Sequence, residues 1–78
     1  MSTVEKKYVD NQKVFGENVR TIRQAKGMSQ TDLAAICGYE KTAISRIENG
    51  RTNVTIKTAS SIAAALETDV QLLFVGLT

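Results

Sequence analysis

One short stretch of this chain gathers hydrogen-bonding side chains at helical spacing. With about 100° per residue and Lys41 at zero, Ser45 falls at about 40°, Asn49 at about 80°, Thr42 at about 100° and Arg46 at about 140°. Ile47 falls at about 240°, Ile44 at about 300°, and Glu48, at about 340°, borders them. The face opposite the isoleucines thus carries Lys41, Thr42, Ser45, Arg46 and Asn49, with two cations and no acid. Such groups suit recognition rather than bond-breaking. Arg or Lys can donate to the O6/N7 pair of guanine, Ser and Thr bond less selectively, and the Thr methyl can touch thymine. Catalytic chemistry has little to work with. There is no histidine and one cysteine, Cys37, so a thiol nucleophile lacks its usual base and no zinc site or intrachain disulfide can form. The carboxylates are scattered without metal-ligand spacing, and no phosphate-cradling glycine loop is present. Neither an enzyme nor a bound cofactor is expected.

Positioning that face requires the surrounding elements. Proline is absent, and Gly27, Gly38 and Gly50 each follow an apolar-periodic segment, as residues just past helix ends do. The first helix is expected at about 11–26, with Phe15, Val19 and Ile22 on one stripe and Gly16 inside it, and residues 1–10 form an N-terminal arm ahead of the 11–78 domain. The second begins at Ser29, where Ser29-Gln30-Thr31-Asp32 reads as a capping box, and buries Leu33, Ile36 and Cys37 with Ala34 at its edge. The third spans about 41–49, three residues after the second ends. The fourth, about 56–66, is capped by Thr55 and buries Ile56, Ala59, Ile62, Ala63 and Leu66. The segment 69–77 reads as a short helix, with Val70, Leu73, Phe74 and Leu77 on one face, or alternatively as a strand. The expected fold is all-α: a compact domain of four to five helices, the last element possibly a short strand.

Two short helices joined by a three-residue, glycine-containing turn make a helix-turn-helix, whose second helix fits the major groove. Gln30, at the start of helix two, and Asn49 and Arg51, after helix three, flank that helix where phosphates would be held. Charge distribution agrees. The net charge is only +2, but every basic residue lies at or before Lys57, leaving residues 58–78 with two acids and no base. No apolar run is long enough to span a bilayer, and the polar stretch Met1 to Val14 lacks a secretory signal, so a cytoplasmic protein with a reduced Cys37 is expected, and Asn53-Val54-Thr55 goes unglycosylated.

Phe15-Gly16-Glu17-Asn18-Val19-Arg20-Thr21-Ile22-Arg23, Gly27-Met28-Ser29-Gln30, Leu33-Ala34, Gly38, Ile44-Ser45-Arg46-Ile47-Glu48-Asn49-Gly50 and Thr55-Ile56 together resemble the Cro/lambda-repressor type of helix-turn-helix, the xenobiotic-response-element family. The resemblance runs over about residues 12–74. It implies a five-helix domain binding a double-stranded operator as a dimer. Gln30 matches the phosphate-binding Gln that opens helix two, Lys41, Thr42 and Arg46 match base-contacting positions with Ser45 between them, and Asn49, Arg51 and Thr52 match the phosphate loop. Arg23 and Glu48 match a structural ion pair bridging helices one and three. Where relatives often carry Gly after helix four, this chain has Glu67. The segment Val70 to Val75 also resembles the last strand of some antitoxins, so a toxin protein is an alternative partner.

At 78 residues a single core is thin, and with no disulfide or metal the expected staple is a second copy. Val70, Leu73, Phe74 and Leu77 are the expected dimer face. The function read from the sequence is a homodimeric, sequence-specific transcriptional regulator, repressor or controller, on a pseudo-palindromic operator, with an autoregulating antitoxin as the alternative.

Overall fold

A computed structural model describes residues 2–78. Four α-helices, α1 (Thr3–Ala25), α2 (Gln30–Cys37), α3 (Lys41–Glu48) and α4 (Ile56–Ala65), precede a 3-10 helix at Val70–Phe74, and no strand occurs among the described residues. Leu33, Ile44, Ile62, Leu66, Leu73 and Val19 are fully enclosed at the centre.

Residues 3–10, expected as an arm, are the opening turns of a 23-residue helix, about 34 Å long. Met1 lies outside the described residues. The Ser2 hydroxyl accepts from the Glu5 amide at 3.1 Å and caps the helix, and an exposed Lys6–Asp10 pair spans one turn. Two other expected core residues face outward: Ile36 is 62% and Ile56 77% exposed. On α2 the inward arc is set by Leu33 and Ala34, with Cys37 half-buried beside them; Ile36 lies about 60° from Leu33 on the side away from Ala34. Ile56 opens α4 and projects before the packed turns begin.

All four α-helices end in the same way. An amide two or three residues past each helix bonds back five residues to a carbonyl of its last turn, as Met28 to Arg23 O, Tyr39 to Ala34 O, Arg51 to Arg46 O and Thr68 to Ala63 O, at 2.9–3.1 Å. This closure needs a left-handed residue. Gly27, Gly38 and Gly50 supply it at three ends, and Glu67, at φ 53°, supplies it at the fourth.

The C-terminal segment takes the helical alternative, as a short 3-10 helix at Val70–Phe74, and not the strand. Side chains of α1 satisfy its backbone instead of a ladder. Asn18 Nδ2 donates to Leu73 O at 2.9 Å and Val75 O at 2.8 Å. Asn11 donates to Thr78 O and accepts from Thr78 N, at 3.0 and 3.1 Å. Leu73 is wholly buried in its own chain, so it belongs to the core and cannot form a dimer face. Leu77 is half-buried against the core, and Phe74 tilts over Phe15 with ring centroids 5.1 Å apart. Val70, Leu72, Phe74 and Val75 remain exposed. The tail lies along α1 from Asn18 back to Lys7, whose Nζ reaches Thr78 Oγ1 at 3.1 Å.

Candidate nucleic-acid interface

α3 is placed by its apolar side and one acid. Ile44, Ile47 and Glu48 are buried, at 0, 5 and 2% exposure, while Lys41, Thr42 and Arg46 are exposed and Ser45 is half-buried. The turn Gly38-Tyr39-Glu40 joins α3 to α2. Across α3, Gly16 lets α1 approach closely. A β-carbon there would overlap the Ile47 carbonyl oxygen and stand 2.6 Å from that of Glu48. At the helix end Gly50 meets the Lys13 backbone, where a β-carbon would lie 2.7 Å from its Cα. Both glycines press the recognition unit onto α1.

Glu48 is the anchor. Arg23 grips its carboxylate with two hydrogen bonds, Nε to Oε2 at 2.6 Å and Nη2 to Oε1 at 2.9 Å, and gives a third from Nη1 to Met28 O at 2.7 Å. This fork geometry suits Arg and not Lys. Oε1 also accepts from Gln30 Nε2 at 3.0 Å and Arg20 Nε at 3.3 Å. Burial pushes the Glu48 carboxyl up, but the bonds from Arg23, Gln30 and Arg20 outweigh it and hold it below the usual range. The Glu48 bond holds the Arg23 guanidinium above its ordinary value against burial. At the other end of the unit, Ser29 and Asp32 complete the capping box at 2.9 and 3.0 Å, and the Ser29 amide draws the Asp32 carboxyl down.

The residues expected to hold phosphates surround this anchor. Gln30 sits on Glu48. Asn49 accepts from Arg20 Nη2 at 3.0 Å through Oδ1 and donates to Ser45 O at 2.9 Å through Nδ2. Arg51 is exposed just beyond, and Thr52 is half-buried with its hydroxyl 3.4 Å from Asn53 O. Gln12 pins the loop to α1 through the Asn53 side chain. The side chains expected to face bases and those expected to face phosphates thus lie on α3 and at the helix ends beside it. Arg20 was missed at the level of sequence. Its spacing was the available signal: three residues before Arg23, it shares that residue's helix face. Among the described residues there is no helix long and apolar enough to cross a membrane and no cluster able to hold a metal.

Known proteins share this fold. A helix-turn-helix family model matches residues 19–73. Control protein C.SmaI of Serratia marcescens is 38% identical over 63 residues, spanning 81% of this chain and 75% of that protein. The restriction-modification controller protein C.AhdI from Aeromonas hydrophila superposes with a TM-score of 0.81 at 32% identity, covering 83% of this chain and 98% of that one. The controller C.Esp1396I, solved as a tetramer in complex with its natural 35 base-pair operator, gives a TM-score of 0.74 at 35% identity over 81% of this chain and 83% of that one. The family match spans more than half of the chain and these relatives exceed 30% identity over most of their own length, so the chain belongs to the Cro/lambda-repressor type of helix-turn-helix transcription regulators.

Proposed function

We propose that this regulator is a controller that binds a pseudo-palindromic duplex operator as a homodimer in the cytoplasm, with no cofactor. One observation carries the reading: α3 exposes Lys41, Thr42 and Arg46 with no acid among them, on a helix clamped to the rest of the fold by Glu48. In this reading α3 lies in the major groove. Lys41, Thr42, Ser45 and Arg46 read base edges, while Gln30, Asn49, Arg51 and Thr52 hold the flanking backbone. The crystal structure of C.Esp1396I as a tetramer in complex with its operator supports assembly on DNA by more than one copy.

The homodimer is assigned to the exposed apolar strip of the tail, Val70 and Phe74 with Leu72 and Val75 beside them; Leu73 has no part in it, and half-buried Leu77 only borders it. Two α3 helices about 34 Å apart would then meet successive major grooves on one side of the duplex. The antitoxin alternative, with a toxin partner, finds no support in the relatives above, which are controllers. Footprinting on the DNA upstream of the chain's own gene tests the reading. Two protected half-sites on one face are expected; absence of protection there and on a random-sequence pool would refute it.

A further inference from the structure

We infer that Arg20, on α1, is a phosphate-binding residue of the DNA interface, held ready by the same buried carboxylate that anchors α3. The inference rests on the DNA-binding reading above and adds a contact from a helix outside the helix-turn-helix.

Arg20 and Arg23 lie one turn apart and both reach Glu48, but on unequal terms. Arg23 takes both carboxylate oxygens, its side chain is 9% exposed, and its remaining nitrogen is spent on Met28 O. That pair neutralises itself. Arg20 makes one long bond to Oε1, at 3.3 Å, and keeps its side chain 40% exposed. Its second bond goes to a neutral group, Asn49 Oδ1, and Nη1 has no protein partner among the described residues. One carboxylate thus meets two guanidinium groups. The surplus positive charge sits on the outer one, which faces solvent.

Its neighbours say what that charge faces. Gln30 shares Oε1 with Arg20, and Asn49 bonds it directly. These two amides sit at the start of α2 and the end of α3, the positions from which the backbone beside the recognition helix would be held. The Arg20 guanidinium lies between them, with at least one nitrogen to spare. A planar, pre-oriented fork of this kind suits a phosphate oxygen. Tethering to Glu48 and Asn49 also lowers the side-chain entropy lost on contact. A merely solvated surface arginine would need neither tether.

The test is binding of fluorescently labelled duplexes across a salt series, using the upstream DNA and a random-sequence control, with wild type, Arg20→Met and Arg20→Lys. Each phosphate contact contributes about −0.9 to the slope of log affinity against log salt. Arg20→Met is expected to flatten that slope by about 0.9 per bound subunit on both duplexes, so that its deficit shrinks about threefold to fourfold per subunit between about 50 and 200 mM salt. Arg20→Lys, which keeps the charge, is expected to retain the wild-type slope. A wild-type slope in Arg20→Met, or a slope in Arg20→Lys as flat as in Arg20→Met, overturns the inference. Should Arg20→Met fail to fold by circular dichroism, Arg20→Gln takes its place, with the same flattening expected and a wild-type slope overturning the inference. Absence of salt-dependent binding by wild type on either duplex instead overturns the DNA-binding reading, and Arg20's role with it.

Discussion

Glu67→Gly should stabilise this protein although it removes a side chain and adds nothing. Glu67 is the only non-glycine residue with positive φ among residues 2–78, at 53°, and it closes α4 with the bond pattern that glycine completes in α1, α2 and α3. A left-handed L-residue costs about 1–2 kcal/mol. Glycine relieves that cost but gives the unfolded chain extra freedom worth about 0.4–1 kcal/mol. The net gain is about 0.5–1 kcal/mol. In a domain of about 60–100 residues, 1 kcal/mol moves Tm by about 4–8 °C, so a rise of about 2–8 °C is expected. Glu67→Ala is the control, because it removes the same exposed carboxylate and keeps the strained backbone. Thermal and urea melts followed by circular dichroism measure all three proteins. If Glu67→Gly melts at or below Glu67→Ala, α4 does not end in this geometry and the reasoning fails.

Glu48→Ala strands a buried guanidinium and should cost about 3–5 kcal/mol, read from the urea midpoint. Because the folded Glu48 carboxyl titrates below its ordinary 4.5, its contribution is fully present above that pH and is lost as pH falls through the depressed value; urea midpoints for wild type and Glu48→Gln should therefore converge on acidification, and parallel curves would contradict the assignment. Gly16→Ala improves helix propensity by about 1 kcal/mol, yet its methyl overlaps the α3 backbone, so a net loss of about 1–3 kcal/mol is expected, and a more stable variant would show that α1 and α3 are not so close.

The recognition unit was legible in the sequence because its local signals agree. The helical spacing of Ile44, Ile47 and Glu48, the Ser29–Asp32 box and the glycine after each of the first three helices all describe contacts made within one or two turns. The ends of the chain were legible only in part, for a different reason. Residues 3–10 carry few apolar side chains, so no stripe marked a helix, although the Ser2 to Glu5 spacing held a capping signal. The tail takes its shape from Asn11 and Asn18, at the far end of the chain, which supply the hydrogen bonds that a local pattern assigns to a helix or a strand. Leu73 is core for the same reason: periodicity identified an apolar face but not what covers it. Arg20 went unnoticed because its role depends on where Glu48 and Asn49 end up.

The central claim is that the exposed face of α3 reads base sequence, and the most direct measurement of it is the set of duplexes enriched from a random pool by wild type and by Arg46→Ala. The expected wild-type profile is two inverted half-sites centred about 10 base pairs apart. Arg46→Ala should erase preference at one position per half-site, a loss of about 1–3 kcal/mol there, and leave the remaining positions unchanged. A wild-type pool with no enriched sequence, or an Arg46→Ala profile identical to wild type, would contradict the account.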